Sequence, residues 1–160
     1  MSLQQFCARA VVTISPDQPI AEACRLLQEK NVGCVVATGD DKVQGILTDR
    51  DIALKVAGER KDPQRTIVRE IMSPNPARIS VDKSLHDLIT LMHTHHVRRV
   101  PIVDGRDKVL GIVTLDDLLI LLGEEMSDMG EGIAGALFRK PSPNEPAESN
   151  MPLDWLMSYL

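Results

Sequence analysis

The chain contains an internal repeat, and this feature constrains its fold more than any other. Three blocks of the first half recur in the same order in the second half. Two are displaced by 65 positions and one by 66: 14–20 with 79–85, 32–36 with 97–101, and 45–51 with 111–117. The extra residue falls in a turn, where insertions are tolerated best. Such self-similarity predicts two copies of one structural unit.

Each copy predicts the element order β-α-β-β-α. A short strand comes first, at 11–14 in copy one and 77–79 in copy two, and it precedes a helix at 20–29 or 85–95. The apolar residues of both helices recur at spacings of three and four, which is typical of a helix with one buried face. Pro19 stands just ahead of the first helix, where its missing N–H costs nothing.

Two β-rich segments joined by a polar turn follow each helix, which is the pattern of a hairpin. The predicted hairpin strands are 32–37 with 43–47 in copy one and 100–103 with 109–113 in copy two. A closing helix is predicted to begin near Asp49 or Leu115 and to end at Gly58 or Gly123, since glycine is common directly after a helix.

These elements predict an α+β fold built from two βαββα repeats. The predicted boundaries are 8–58 for repeat one, 59–73 for a charged linker, 74–123 for repeat two and 124–160 for a C-terminal extension. We expect the extension to start as a helix at 124–138 and to continue as a flexible connector at 141–152, which contains four prolines. Apolar residues return at 153–160, which predicts a tail that docks on this chain or on a partner.

Composition excludes several classes of protein. The formal net charge is −5, which argues against a nucleic-acid binder because such proteins need a basic surface. Three widely spaced cysteines predict neither a disulfide framework nor a zinc site, and reduced thiols fit a cytoplasmic protein. We expect no secretory signal and no membrane span, because the most apolar stretch, 118–122, is far too short to cross a bilayer.

A Thr-x-x-Asp pair stands where a strand gives way to a helix in each copy: Thr48 with Asp51, and Thr114 with Asp117. A helix start offers unpaired backbone N–H groups and the positive end of the helix dipole, which suit a phosphate. The hydroxyl can bond a phosphate or ribose oxygen, and the carboxylate can accept both hydroxyls of a ribose. This pattern therefore predicts a nucleotide site at each strand-to-helix corner.

A purely structural explanation competes with that hypothesis. Threonine followed three positions later by an acidic residue also resembles a capping box, and Ser84 with Asp87 has the same spacing. The repetition favours the functional interpretation, because the same string from glycine to aspartate occurs at equivalent corners. Gly45 and Gly111 begin these strings, and we expect them to let a ligand approach the backbone closely.

Together these strings resemble a tandem pair of cystathionine β-synthase (CBS) domains, the Bateman module. Residues 45–51 and 111–117 resemble the ribose-binding motif of that family, and 96–104 (HVRRVPIVD) resembles its second-strand pattern. Residues 71–74 (IMSP) resemble the usual join between its repeats. The resemblance covers about residues 8 to 123.

The resemblance implies two clefts between repeats related by a pseudo-twofold axis, each able to hold AMP, ADP, ATP, NAD or S-adenosylmethionine. It also implies a flat homodimer. For the first cleft it implies Thr48, Asp51, Ile46, Arg78 and Ile79. For the second cleft it implies Thr114, Asp117, Ile112, Thr13, Ile14, Val32 and Gly33.

Arg98 and Arg99 are the best candidate phosphate ligands, because guanidinium groups bind phosphate oxygens in pairs. They follow Val97 in the second-strand pattern. Successive side chains of a strand point to opposite faces, so we expect at least one of the two arginines at a cleft. A solvated strand edge is the alternative.

Copy one departs from this arrangement. Gly33 and Cys34 occupy the places that match the two arginines, so we expect the clefts to differ and one of them to bind ligand weakly or not at all. Arg50 is a candidate phosphate ligand for the first cleft, with a surface role as the alternative.

Two further clusters stand out in copy two and predict no additional kind of site. His93, His95 and His96 lie near a helix end, where cationic side chains are favoured, so we expect a structural role or contact with a phosphate there and no metal. The apolar run 118–122 is hydrophobic on all sides of a helix, which predicts cover from its own sheet and from a second subunit.

We therefore predict a stand-alone regulatory module that binds AMP, ADP, ATP or NAD between its repeats and signals through rearrangement of a dimer or a partner. The alternative is a ligand-free module for protein interaction or dimerisation. A regulated partner would engage residues 124–160. We expect no enzyme, because the chain has no Gly-x-Ser-x-Gly elbow, Walker loop or His-Glu-x-x-His motif.

Overall fold

The structure is a computed structural model of the chain, and it describes residues 3–8 and 11–137. The chain divides into two compact units, Met1–Leu119 and Ile120–Leu160. All seven strands of the described residues lie in the first unit. The predicted connector at 141–152 and the apolar tail at 153–160 lie outside the described residues.

Copy one has the predicted order of elements. They are β1 (Thr13–Ile14), α1 (Ile20–Lys30), β2 (Cys34–Gly39), β3 (Lys42–Thr48) and α2 (Asp49–Ile52). Strand β1 pairs with β2 in parallel, and β2 pairs with β3 as an antiparallel hairpin. Helix α2 continues without a break as a π-helical turn at Ala53–Ala57.

The segment between the copies is more than the predicted linker at 59–73. Its second half forms helix α3 (Val68–Ile71) and leads into strand β4 (Ser73–Pro74), which pairs antiparallel with β3. Val68 and Ile71 are fully buried in the core of the first repeat. Their spacing of three places both on one helical face, and this apolar pair distinguishes α3 from the charged residues before it.

Copy two repeats the same order. Its elements are β5 (Ile79–Ser80), α4 (Leu85–His95), β6 (Arg99–Val103), β7 (Val109–Thr114) and α5 (Leu115–Leu137). Strand β5 pairs in parallel with β6, which pairs antiparallel with β7. The whole described chain is thus α+β, with a four-stranded and a three-stranded sheet.

Helices α1 and α4 end in the same way. Asn31 and His96, which are equivalent positions of the two copies, adopt the left-handed conformation with φ of 50° and 53°. Each turns its N–H back to carbonyls of the last helical turn, which satisfies groups that a helix end leaves unpaired. Asparagine and histidine are among the non-glycine residues that tolerate this region best.

The predicted glycine stops of the closing helices are wrong in detail. Gly58 does follow the first closing helix, but its φ is −63°, so a left-handed cap does not explain the stop. Helix α5 continues through Gly123 to Leu137, because an exposed glycine lowers helix stability without preventing the helix. The helix expected at 124–138 is therefore the second part of α5.

Each repeat is completed by the segment that precedes the opposite copy. Val68 and Ile71, which lead into copy two, pack in the core of the first repeat. The 3₁₀ helix Leu3–Ala8, which precedes copy one, buries Leu3 and half-buries Phe6 in the core of the second repeat. Leu3 and Phe6 lie 65 positions before Val68 and Ile71, so the exchange is reciprocal, as pseudo-twofold packing requires.

This exchange corrects the role expected for Gly45 and Gly111. A β-carbon on Gly45 would overlap the Met72 side chain. A β-carbon on Gly111 would lie 3.0 Å from the Phe6 carbonyl oxygen and 3.1 Å from the Cys7 α-carbon. Both glycines therefore make room for the exchanged segments of the protein itself, and not for a ligand.

The two copies meet through aliphatic side chains of their sheets. Val36, Val43 and Val103 form a buried cluster to which Val109 and Ile112 are added from copy two. At the hairpin tips, Lys42 and Lys108 form an antiparallel bridge, and the Lys108 Nζ pairs with Asp41 at 3.0 Å.

Candidate functional site

The strand-to-helix corner of copy two is a capping box. The Thr114 N–H and hydroxyl donate to Oδ2 of Asp117 at 2.8 and 2.7 Å, and the Asp117 N–H donates back to the hydroxyl oxygen at 3.2 Å. These bonds satisfy N–H groups that the start of α5 would leave unpaired. They also hold the carboxylate in one orientation, with Oδ1 outside the capping box.

The same box occurs twice more. In copy one, the Thr48 N–H and hydroxyl donate to Oδ2 of Asp51 at 3.0 and 2.6 Å, and the Asp51 N–H donates back to the hydroxyl oxygen at 3.2 Å. At the start of α4, the same three bonds join Ser84 and Asp87 at 2.9, 2.7 and 3.1 Å. The structural explanation of the motif is thus confirmed for all three. Capping alone cannot assign a ligand site, and the surroundings of each carboxylate decide.

The surroundings of Asp117 form a cavity between the two repeats. Its volume is about 280 Å³. Copy one contributes the approach to β1 and the start of β2, and copy two contributes β6, β7 and the first turn of α5. The lining residues are Val11, Val12, Val32, Gly33, Cys34, Val36, Arg99, Ile112, Thr114, Asp116 and Asp117.

Arg99 is the predicted arginine that the structure brings to this cavity. A β-carbon on Gly33 would lie 3.3 Å from Nη2 of Arg99 and 3.6 Å from Oδ2 of Asp49. The absence of a side chain at Gly33 therefore leaves room for the guanidinium, which reaches from copy two to the corner of copy one. Arg98 is exposed, and its carbonyl accepts the Leu115 N–H at 2.9 Å.

Cys34 lines the cavity as well, at the place in copy one that matches Arg99 of copy two. Burial raises the pKa of its thiol above the ordinary value, against the opposite effect of Arg99 and with a further rise from Asp49. The thiol therefore stays neutral near pH 7 and adds a small apolar surface to the cavity. Cys7, Cys24 and Cys34 are all free thiols.

On the β1 side of the cavity, the lining residues differ from the predicted ones, Thr13 and Ile14, by two positions. Val11 and Val12 line the cavity, whereas Thr13 is exposed. Ile14 is only 5% exposed because it packs in the core of the first repeat. Val11 and Val12 belong to the predicted strand at 11–14, but they precede the observed start of β1 at Thr13. Their apolar character was the feature of the sequence that could have indicated a lining role. Val36 and Asp116 were missed as well.

The residues predicted for the first cleft make other contacts. Asp51 pairs with Lys55 at 2.8 Å, and Arg78 pairs with Asp107 at 2.6 Å. Ile79 is buried in the core of the second repeat. The remaining candidates are Ile46, which is 7% exposed, Val97, which packs on the second core, and Arg50, which is exposed.

The histidines lie apart from the described lining of the cavity. All three are exposed, His96 is the left-handed cap of α4, and its ring centroid is 6.4 Å from that of His93. Within the part of the chain that the structure describes, no group of three or more His, Cys, Asp or Glu side chains could hold a metal ion. Among the same residues, no helix is long and apolar enough to cross a membrane.

Two βαββα repeats that exchange their entering segments, with a cavity between them at a Thr-x-x-Asp corner, define a tandem-repeat α+β module. The family model described as the CBS domain matches this chain twice, at residues 3–58 and 68–124. The chain therefore belongs to the CBS-domain family, and the resemblance in the sequence is confirmed. Both matches start at an exchanged segment, and CBS pairs are regulatory modules.

Three similar proteins illustrate the family. The CBS domain-containing protein YhcV of Bacillus subtilis is 38% identical over 133 residues, which is 83% of this chain and 91% of the relative. The CBS domain pair of protein MJ0100, in complex with 5′-methylthioadenosine and S-adenosyl-L-methionine, is 26% identical with a TM-score of 0.69, over 78% of this chain and 98% of that one. A hexameric CBS-CP12 protein from bloom-forming cyanobacteria is 25% identical with a TM-score of 0.66, over 90% and 87%.

Proposed function

We propose that this chain is a regulatory module that binds an adenosine-type ligand in the cavity between its repeats. One observation carries the proposal: three unlike groups converge in a single cavity, namely the Thr114–Asp117 corner, the Arg99 guanidinium and an aliphatic wall. Each group suits a different part of a nucleotide. The ligands of the MJ0100 pair, which contain adenosine, support the same class of compound.

The aliphatic wall suits a purine base. Val32 and Val36 face the cavity from copy one and Ile112 from copy two, so a flat ring can be covered from both repeats. Burial of apolar surface contributes about 25 cal/mol for each Å² removed from water. A base held by such contacts also fixes where the ribose and its substituent must lie.

Asp117 suits the ribose, because a carboxylate oxygen accepts hydrogen bonds from vicinal hydroxyls. Its capping bonds to Thr114 use Oδ2, so the capping role and a ribose role are compatible in one residue. The capping box also orients the carboxylate before a ligand arrives, which reduces the entropy lost on binding.

Arg99 suits a phosphate, since a guanidinium donates paired hydrogen bonds to anionic oxygens. It also disfavours the positive sulfonium of S-adenosylmethionine. The cavity of about 280 Å³ lies just below the range of roughly 300–1,000 Å³ that is typical of ligand pockets, which favours AMP over the two-nucleotide NAD. We therefore rank AMP first, followed by ADP and ATP.

The test is thermal unfolding with AMP, ADP, ATP, NAD and S-adenosylmethionine in turn. A ligand at about 100 times its dissociation constant adds about 2.7 kcal/mol to the free energy of unfolding. For a chain of this size that raises the melting temperature by roughly 5–10 °C. We expect the rise with AMP and its loss in Asp117→Ala.

Asp87→Ala is the matched control, because it removes the same capping box from α4 at an exposed position. We expect it to lower the melting temperature of the free protein while leaving the rise with AMP intact. Absence of any rise with all five compounds, in a protein that unfolds cooperatively, would contradict the proposed function. A rise that survives Asp117→Ala would move the ligand to another site.

The signal would pass through self-association. Helix α5 exposes apolar side chains at alternating spacings of four and three, which is the heptad pattern of a helix that pairs with another helix. They are Leu115, Leu119, Leu122, Met126 and Met129, with exposed fractions from 40% to 73%. We propose a homodimer through this stripe, and a ligand can shift it only by binding one arrangement more tightly than another.

The same stripe supports a second candidate, a ligand-free module that uses α5 to engage a partner protein. The thermal unfolding series separates the two, because only a ligand-binding module gains stability from a nucleotide. In both cases we propose that the chain has no catalytic activity of its own. A cytoplasmic location stays a prediction, which the three free thiols support.

A further inference from the structure

We infer that Asp49 and Asp116, two carboxylates near Arg99 that come from different copies, limit the cavity to a ligand with one phosphate by repelling a longer polyphosphate. This inference rests on the proposed function and deepens it, because it assigns the preference for AMP over ADP and ATP to named residues. The small volume of the cavity favours the same ligand, so the experiment has to separate the effect of charge from that of size.

The cavity offers a phosphate one cationic side chain. Among the residues that the structure describes at its lining, Arg99 is the only one with a positive charge. A guanidinium donates paired hydrogen bonds to one phosphate group. A second or third phosphate adds negative charge without a further cation from this lining, so repulsion by nearby carboxylates weakens its binding.

Asp49 lies close to Arg99 at the position of Gly33. A β-carbon on Gly33 would be 3.3 Å from Nη2 of Arg99 and 3.6 Å from Oδ2 of Asp49, so both charged groups lie near one point of the cavity wall. The backbone helps to fix this placement, because the Asp49 N–H donates to the Gly33 carbonyl oxygen at 3.3 Å. A phosphate that binds Arg99 therefore also experiences the negative charge of Asp49.

The thiol of Cys34, which is another lining residue, experiences the same two charges. Burial has the largest effect on its pKa and raises it, while the positive charge of Arg99 lowers that pKa and the negative charge of Asp49 raises it. Both charges thus act at the wall of the cavity, although Asp49 is not part of the described lining itself.

Asp116 brings a second carboxylate to the cavity, from copy two. It is the second residue of α5 and lies two positions after Thr114, which is the partner of Arg99 in the pairing of β6 with β7. The equivalent residue of copy one is Arg50, so the two corners carry opposite charges at this place. Arginine is therefore a substitution that the same kind of corner already accommodates.

Both carboxylates also have a structural explanation. They lie in the first turns of α2 and α5, where a negative charge stabilises a helix. A role confined to the helix start would change the stability of the free protein and would leave the ratio of AMP affinity to ATP affinity as it is. This ratio is therefore the measurement that identifies a role in specificity.

Calorimetric titration of the full chain with AMP and with ATP, both without Mg²⁺, gives the two dissociation constants. We expect the wild type to bind AMP more tightly than ATP. Asp49→Asn and Asp116→Asn keep the size of the side chain and remove its charge, so each should reduce the preference for AMP by roughly 2- to 5-fold, as expected for exposed charge pairs. Asp116→Arg supplies a second cation and should reduce the preference further.

Asp82→Asn is the matched control, because it removes the same charge from an exposed residue outside the described lining of the cavity. We expect it to leave the preference for AMP unchanged. A reduction as large as that in the Asp49 and Asp116 variants would overturn the inference, since it would assign the preference to the net charge of the protein.

A wild type that binds ATP as tightly as AMP, or more tightly, would also overturn the inference. A folded asparagine variant that keeps the full preference for AMP would overturn it for that residue, and the same result in both variants would assign the preference to the size of the cavity. A wild type that binds neither nucleotide is a different outcome, because it contradicts the proposed function and the inference falls with it.

Discussion

The two strand-to-helix corners share a backbone but differ in what surrounds their carboxylates. Asp51 is paired with Lys55 inside its own copy. Asp117 lines a cavity between the copies that also receives Arg99, and Leu121 stands where copy one has its lysine. The repeated motif thus preserves the geometry of a helix start, whereas the side chains around that helix start differ between the two copies.

The largest effect expected from this comparison is on ligand affinity at Arg99. Hydrogen bonds to charged groups contribute about 1.5–3 kcal/mol, so Arg99→Ala should weaken AMP binding by roughly 10- to 150-fold. Arg98→Ala is the matched control, because Arg98 is exposed and outside the described lining of the cavity. Calorimetric titration gives both dissociation constants.

Adenosine sharpens the same test, since it lacks the phosphate that Arg99 would bind. We expect Arg99→Ala to bind AMP and adenosine with similar affinity, whereas the wild type prefers AMP. Equal loss of AMP affinity in the Arg98 and Arg99 variants would show that the net positive charge matters and that the position of Arg99 does not.

The two corner glycines offer a second comparison, this time of stability. Gly45→Ala would press on the Met72 side chain, and Gly111→Ala would press on the backbone of Phe6 and Cys7. Overpacking costs about 1–3 kcal/mol, so both should lower the free energy of unfolding measured in urea. The two should differ in whether a second substitution can restore it.

Met72→Ala should restore much of the stability lost in Gly45→Ala, because it removes the side chain that the new methyl group meets. A double-mutant cycle measures this coupling. Phe6→Ala should not restore Gly111→Ala, since the opposing Phe6 atom is a backbone oxygen. A cycle without coupling at Gly45 and Met72 would contradict the exchange of segments between the repeats.

The smallest expected effect is the pH dependence of the Asp51–Lys55 pair. The pKa of Asp51 lies below its usual value of about 3.9. The pair therefore stabilises the fold above that pH, and its contribution disappears as the pH falls through the lower folded-state pKa. The lysine is 41% exposed, so the contribution should stay below about 1 kcal/mol.

Urea unfolding of the wild type and of Lys55→Gln measures this contribution as a difference in stability. We expect the wild type to be slightly more stable at pH 7 and the difference to shrink as the pH falls through the lowered pKa of Asp51. A difference that persists in acid would assign the effect of Lys55 to the hydrogen bond that its Nζ donates to the Ile71 carbonyl oxygen and not to the ion pair.

Much of the fold could be predicted from local sequence patterns, and the repeat showed that the same patterns occur twice. The order of elements is confirmed in both copies, and α4 has the predicted bounds of Leu85–His95. Local patterns sufficed because one turn of a helix or one hairpin depends on neighbours along the chain. The role of residues 68–74 was missed because their partners, β3 and the first core, are distant in sequence.

The residues of the candidate site also include some that were predicted from local motifs and some that were missed. Thr114, Asp117, Ile112 and Arg99 were predicted and line one cavity. The family match supports the motif but leaves the ligand to experiment. The contribution of Val11 and Val12 was missed, because which residues of an apolar run face a cavity depends on where its strand joins the sheet.

The sequence by itself determined the two copies, their order of elements and the capping boxes at Thr48, Ser84 and Thr114, because these depend on spacings of three or four residues. Only the tertiary structure decided that Arg99 reaches the cavity while Arg98 does not, that Gly45 and Gly111 accommodate exchanged segments, and that Lys55 bridges Asp51 and Ile71. Each of these depends on atoms brought together by packing across the repeats or across the sheet, and no local spacing encodes such contacts.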